Sequence, residues 1–486
     1  MNKFIKGMER EENFTKTENE AIAYKSTGKD LLDLFGQIGA LRSRSINEVE
    51  SLFSKAFSED KLIATKMAFY CRDIRGGLGE RKTFRIIIKF LSSIYPDVIK
   101  QNLDLIPKYG RWDDLFVLIG TKIQNNVLDL IQKQFNEDLK NMTNNEPISL
   151  LAKWLKTPNT KNVENRKIGL IICNYLNLSE KSYRKLVSKM RKYLNDSVVE
   201  TKMSSKKWED INYSNVCSNA MNKYRKAFYR NDEKRFDGFI NKVKSGEEKI
   251  NASTLYPYDL VGKYINSWGM NNYDEVVEQQ WKSLPNYIEG ENNVIVMADV
   301  SGSMACCNGQ PLATSIGLAT YFAERNKGVY ADKFMTFSHK PQWVNLKGNT
   351  LYEKIMNAVK ADWQMNTNIA KAMYLILETA IKYDIPKEDM PKSLIIVSDM
   401  QFDSCSEYDE SLFESIEKEY NNFGVELPYI VFWNVNSKRD TFQKVNKMQL
   451  VSGQSVSTFK TIIENLGKSP YEAMINTLEK YNDVKI

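Results

Sequence analysis

The chain has a single histidine, His339, and that scarcity excludes whole classes of chemistry. Ser-His-Asp and Cys-His triads are removed unless His339 takes part, and any site needing two imidazoles is removed outright. Cysteine is sparse too. The six cysteines show no Cys-x-x-Cys spacing and one adjacent pair, Cys306 and Cys307, so they make neither a disulfide framework nor a zinc site. A reducing compartment fits that usage. Long apolar runs are also missing: Val294 to Ala298 and Leu394 to Val397 fall far short of the roughly 18 residues that span a bilayer. The opening MNKFIKGMEREENF interrupts every apolar stretch with charge and lacks the pattern of a signal peptide. A cytoplasmic protein without a membrane partner is expected.

What is present is ample material for folding. The 486 residues are 42% apolar and 27% charged, which suits two to four folded domains rather than a disordered chain. The net charge of +7 is unevenly placed. Residues 140–250 hold about 24 Lys and Arg against about 12 Asp and Glu, and the rest of the chain is slightly acidic. That asymmetry favours a polyanionic partner for the middle of the chain, unless it is only a lysine-rich solvated surface.

From Leu31 to Gly290 apolar residues recur with helical spacing, and short Gly- or Pro-containing connectors separate successive helices. Near residue 290 the texture changes. Short apolar runs at 293–298, 333–337, 393–397 and 428–433 alternate with amphipathic helices, the pattern of a doubly wound parallel sheet covered on both faces. The expected fold is multidomain, α plus α/β: a helical-repeat domain over 1–290 and a Rossmann-like domain over 291–486.

The most specific local signal follows the first of those strands: Asp299-Val300-Ser301-Gly302-Ser303. At the carboxyl end of a parallel strand, one carboxylate and two hydroxyls can converge as hard oxygen donors suited to Mg²⁺ or another divalent cation. The competing reading is that these residues cap the following helix. The Asp-x-Ser-x-Ser pattern resembles the opening of the metal-ion-dependent adhesion site of von Willebrand factor A domains. That resemblance implies Asp299, Ser301 and Ser303 near the metal, Thr367 direct or through water, and Asp399 through water. It also implies a vacant coordination position for a carboxylate from a protein partner. Relatives often carry glycines before the threonine, where this chain has Gln364 and Met365.

A second resemblance lies upstream. Arg72-Asp73-Ile74-Arg75-Gly76-Gly77-Leu78-Gly79-Glu80-Arg81, then Leu105 to Leu115, Leu151-Ala152-Lys153-Trp154-Leu155, Tyr183-Arg184-Lys185 and Val216 to Met221 resemble the helical region of Ro autoantigen (TROVE-domain) proteins. They look closer still to an uncharacterised family of plants, fungi and viruses that joins such a region to an A domain. The match covers most of residues 15 to 460. It implies a monomeric ring of HEAT-like repeats closed by the A domain, binding small non-coding or misfolded RNA. If a virus encodes the chain, the compartment is the host's cytoplasm.

The residues themselves admit that role. Lys181, Lys185, Lys189 and Lys192 fall at i, i+4, i+8 and i+11 of one helix, which also carries Arg184 and Arg191. Lys223, Lys226 and Arg230 repeat the stripe on another helix, beside Tyr224, Phe228 and Tyr229. Phosphates meet such cations, and unstacked bases find π-faces. Arg72, Arg75 and Arg81 surround three glycines where a backbone can approach a phosphate, although an inter-repeat turn with ion-paired arginines explains them as well. The expectation is a non-catalytic RNA-binding protein whose Mg²⁺-bearing A domain recruits a partner. The main alternative is a metal-dependent interaction or assembly scaffold without RNA. A metal-dependent nuclease is the least favoured class, because no positioned general base accompanies the oxygen donors.

Overall fold

The computed structural model describes residues 3–194, 199–266, 269–337, 341–359, 368–404 and 411–486. The chain forms two compact units. One comprises residues 68–254 with 481–486, and the other residues 1–67 with 255–480.

The first unit is helical. Its helices include Arg81–Ile94, Gln124–Thr143, Val163–Tyr175, Glu180–Leu194 and Ser218–Ser245. The Glu180–Leu194 helix shows why these segments fold: Tyr183, Val187 and Met190 recur on one face and are buried, while the lysines stand on the other. Each such burial contributes about 1.5–3 kcal/mol. Tyr183 stacks on Phe135 of the Gln124–Thr143 helix at 6.5 Å between centroids and donates its hydroxyl to the Lys156 carbonyl at 2.9 Å. The Ser218–Ser245 helix ends at Gly246, whose left-handed φ of 83° is a conformation that favours glycine. Two helical segments of this unit are short or tight: Leu151–Trp154 spans four residues, and Trp112–Leu118 is a 3₁₀ turn.

The second unit begins with a short hairpin, β1 (Phe14–Lys16) and β2 (Ile22–Tyr24), and carries a second small pair, β3 (Ile265–Asn266) and β4 (Gly269–Met270). Its main sheet comprises β5 (Val294–Asp299), β6 (Lys333–Phe337), β7 (Gln342–Asn345), β8 (Ser393–Ser398), β9 (Tyr429–Asn434) and β10 (Met448–Ser452). The strand order is β10-β9-β8-β5-β6-β7, parallel throughout except for β7, which is antiparallel to β6. Every residue of β5, β8 and β9 is buried, as expected of strands covered on both faces. From β5 the chain builds outward to β6 and β7 on one side and to β8, β9 and β10 on the other. The switch point therefore lies between β5 and β8, where open α/β sheets place their binding crevice.

The compact units depart from the division at residue 290. Residues 1–67 and 255–290, read as part of the helical domain, pack with the sheet. Tyr24 and Phe442 exchange backbone hydrogen bonds of 2.8 Å, and Ala21 and Tyr24 enter the same core as Ile295, Met297 and Ile396. Further on, Trp281 donates its indole N–H to Glu324 at 2.7 Å, and Glu278 accepts the backbone N–H groups of Leu351 and Tyr352. The strand that carries Tyr24 is three residues long and its bridge to Phe442 joins residues hundreds of positions apart, so this docking leaves no periodic trace in the sequence.

Candidate metal centre and basic groove

Parallel pairing sets Ala298 opposite Val397 in register, so the next residues, Asp299 and Ser398, leave the sheet side by side, with Asp399 following. Asp299 is wholly buried. One of its carboxylate oxygens accepts the Ser301 N–H at 2.9 Å, and the other accepts the Ser398 hydroxyl at 2.5 Å. The Ser398 hydroxyl in turn accepts the Met400 N–H at 3.0 Å. Met400 holds a φ of 64°, a left-handed conformation that costs a non-glycine residue about 1–2 kcal/mol. The Ser301 and Ser303 hydroxyls lie 3.1 Å apart. Ser301 stands at the N-cap of the 3₁₀ turn Gly302–Ala305, yet its side chain makes no capping hydrogen bond. The hydroxyls therefore face each other rather than the helix.

Asp399 is equally buried. Its Oδ1 accepts the Gln401 N–H at 3.2 Å, while its Oδ2 has no hydrogen-bond partner and faces the Lys438 ammonium at 3.3 Å. Burial pushes the Asp299 carboxyl up to about 7, and the neighbouring Asp399 charge adds to the rise. Burial raises Asp399 as well, against the opposing pull of Lys438 and of the hydrogen bond from Ser303. Two adjacent buried carboxylates, one with an oxygen met only by the Lys438 ammonium, and two facing hydroxyls form an all-oxygen donor set. That set fits a hard divalent cation, which would relieve the mutual repulsion. Thr367, the fourth expected donor element, and His339 lie outside the described residues. Lys438 and Ser398 were not anticipated. Ser398 follows from the strand register, but only tertiary packing brings the loop after β9 to Asp399.

In the helical unit the lysine stripe lines an open groove of about 740 Å³. Lys181, Arg184, Lys185, Lys189, Arg191 and Lys192 border it, and Thr157 and Asn159 also line it. All of these cations are exposed except Arg191. Arg191 is a correction to the sequence reading: its guanidinium donates to the carbonyls of Ala152 at 2.8 Å and Leu155 at 2.6 Å, tying the helix to its neighbour. Lys223, Lys226 and Arg230 are exposed on the Ser218–Ser245 helix, with the Lys223 ammonium 4.8 Å from the Tyr224 ring centroid. Phe228 is core, packed among Tyr213 and Phe236.

Arg72 is a second correction. It is 1% exposed and donates from Nε to Asp114 at 2.7 Å. Asp114 also accepts from Arg85 Nε at 2.7 Å and from the Arg111 N–H at 2.9 Å, so it is the hub of a buried ion-pair network. Arg75 and Arg81 are exposed, and Arg75 donates to the Lys108 carbonyl at 3.1 Å. The glycine turn is not an open phosphate cradle. Its amides serve the turn itself: Asp73 accepts from Arg75 and Gly76, Leu78 bonds the Tyr70 carbonyl, and Glu80 bonds that of Cys71. A Cβ on Gly77 would lie 2.2 Å from the Tyr70 carbonyl oxygen, so glycine is needed there for close packing.

Among the described residues, no helix is long and apolar enough to cross a membrane. Residues 17–147 and 148–293 match the family described as Domain of unknown function (DUF2828), and residues 293–485 match Domain of unknown function (DUF7788). The chain is 31% identical over 517 residues to "Uncharacterized protein L728" of Acanthamoeba polyphaga mimivirus, covering 96% of this chain and 88% of that protein. Among solved structures it is similar to the Ro (RSR) protein of Deinococcus radiodurans, with 11% identity and a TM-score of 0.45, covering 94% of this chain and 100% of that one. With the DUF2828 match spanning more than half of the chain and the viral relative aligned along nearly all of it, this chain belongs to the DUF2828 family.

Proposed function

We propose that this is a non-catalytic RNA-binding protein, with the groove along the Glu180–Leu194 helix as its RNA surface and the Asp299–Asp399 site as a divalent-cation centre that recruits a protein. The groove carries the reading: five exposed cations border one open channel, and a structural role is evident for only Arg191 among the six predicted there. A row of such charges suits phosphates, while Thr157 and Asn159 offer hydrogen bonds within the same groove. The motif resemblance to Ro proteins in Arg72 to Arg81 and Leu105 to Leu115 supports the same class. RNA with single-stranded ends or defective folding would be the ligand.

In the other unit Asp299, Ser301, Ser303 and Asp399 would hold Mg²⁺, with Thr367 as the further donor the A-domain resemblance implies. The bound cation would supply a Lewis-acidic anchor for a partner's carboxylate. Ser398 orients Asp299, and burial excludes competing water from both carboxylates. The Cys306 thiol lies near Asp399 and Lys438, and burial pushes it up to about 11, away from the thiolate a nucleophile needs, which favours recruitment over hydrolysis.

The test is purification of the full chain at moderate salt with Mg²⁺, followed by absorbance at 260 and 280 nm and sequencing of any nucleic acid retained. RNA displaced at high salt, and lost in a Lys181→Glu, Lys185→Glu, Lys189→Glu variant, is the expected result. Clean protein that ignores tailed, structured RNA at low salt overturns RNA binding and leaves the Mg²⁺-dependent scaffold. Divalent-dependent cleavage abolished by Asp299→Ala would overturn the non-catalytic assignment.

A further inference from the structure

We propose that Lys438 is a tethered competitor for the cation site: its ammonium neutralises Asp399 in the metal-free protein and must transfer to Glu18 when a divalent ion enters. This rests on reading Asp299, Ser301, Ser303 and Asp399 as a cation centre.

Two buried carboxylates side by side need a compensating positive charge, since an unpaired buried charge is strongly destabilising. Lys438 supplies one. Its Nζ lies 3.3 Å from Asp399 Oδ2, an oxygen otherwise without a hydrogen-bond partner, so the ammonium alone covers the oxygen that a cation would take. The same Nζ lies 3.4 Å from Glu18 Oε2. The Asp399 side chain is 0% exposed and that of Glu18 is 34% exposed, so the ammonium stands between a buried carboxylate and one open to water. A lysine ammonium on a flexible four-carbon stem can shift between two such acceptors without backbone motion.

The surrounding bonds confine any motion to that stem. In the loop after β9, Ser437 donates its N–H to the Ala40 carbonyl at 2.9 Å and its hydroxyl to Gln37 at 2.5 Å, and its carbonyl accepts from Arg44 at 3.0 Å. Asn436 closes on Asn434 at 3.1 Å. Glu18 is held from the opposite side. Its N–H donates to Gln401 at 2.9 Å, and the preceding Thr17 hydroxyl donates to the Phe402 carbonyl at 2.6 Å. Gln401 follows Asp399 by two residues, so one loop carries both the buried acceptor and the anchor of the exposed one. The segment 17–44 thus positions both the lysine and its second acceptor, and through them sets how readily a divalent ion gains Asp399.

The experiment is calorimetric titration of Mn²⁺ and Mg²⁺ into the full chain, stripped with EDTA, as wild type, Lys438→Met, Glu18→Gln and Asp299→Ala. Methionine keeps an unbranched stem and removes the charge. Lys438→Met is expected to bind divalent ions at least about tenfold more tightly, because no tethered cation competes. Glu18→Gln is expected to bind several-fold more weakly, because the displaced ammonium loses its acceptor. If Lys438→Met binds no more tightly than wild type while Asp299→Ala abolishes binding, the cation centre stands and the competitor is overturned. If no protein binds either ion at millimolar concentration, the cation centre itself fails, and this inference with it. Should Lys438→Met not fold, Glu18→Gln decides alone, and wild-type affinity in that variant overturns the proposal.

Discussion

Lys181, Lys185, Lys189 and Lys192 are exposed, border one groove, and make no ion pair with a described residue. Their span of eleven residues covers about 16 Å of helix axis, enough for several phosphates. If each lysine meets one phosphate of a single strand, counterion release gives the groove a log–log salt slope of about −2.8, from about −0.7 per phosphate. Replacing Lys181, Lys185 and Lys189 by alanine should leave about −0.7 from this element. Between 50 and 200 mM salt, the groove's contribution to affinity should then fall about 50-fold in the wild type and about 3-fold in the variant. The fold should survive, because Tyr183, Val187 and Met190 carry the helix's packing and alanine is the strongest helix former. Fluorescence anisotropy of a labelled single-stranded RNA, titrated at four or five salt concentrations, measures both slopes. Equal slopes in the two proteins would refute the groove as the phosphate contact, whatever the absolute affinities.

Arg72→Met should destabilise the helical unit by about 1.5–3 kcal/mol in urea denaturation, because it removes a charge-assisted hydrogen bond to Asp114 while Arg85 still compensates that carboxylate. By the same reasoning, Arg75→Ala on the adjacent exposed turn should stay within about 0.5 kcal/mol of wild type. Mg²⁺ at a hundredfold excess over its dissociation constant should stabilise the wild type by about 2.7 kcal/mol, read as a shift in thermal midpoint, and Asp299→Ala should abolish that shift. Glu48 closes a capping box on Ser45. The Ser45 hydroxyl and amide, followed by Arg44, hold its carboxyl at about 2. That lies below the ordinary value near 4.3, so its stabilisation is full above that pH and fades as the pH falls toward about 2. Urea midpoints compared at pH 5 and pH 3 should therefore drop less in Glu48→Gln than in the wild type.

The alternation of apolar runs with amphipathic helices determined the parallel sheet: runs read at 333–337 and 393–397 correspond to Lys333–Phe337 and Ser393–Ser398 in the structure. A strand buried on both faces must be apolar residue after residue, which is legible without knowing its neighbours. Asp299, Ser301 and Ser303 were legible for a related reason, since they follow the first such run directly. The lysine stripe was legible because helical periodicity separates Lys181, Lys185 and Lys189 from Tyr183, Val187 and Met190 within a single element.

Composition and periodicity could not separate Arg72 from Arg75. The two stand three residues apart in one motif, yet one is buried on Asp114 and the other faces solvent. Nor could they separate Arg191 from its stripe, because the carbonyls of Ala152 and Leu155 lie on a different helical segment. Segment 1–67 joins the sheet through pairings such as Tyr24 with Phe442, and Lys438 reaches Asp399 only because Gln37, Ala40 and Arg44 hold its loop. Which face of an element is apolar is a local property, repeated every 2 or 3.6 residues, and the sequence by itself determines it. Which charged side chain finds a buried partner depends on residues distant in the chain, and only the tertiary structure decided it.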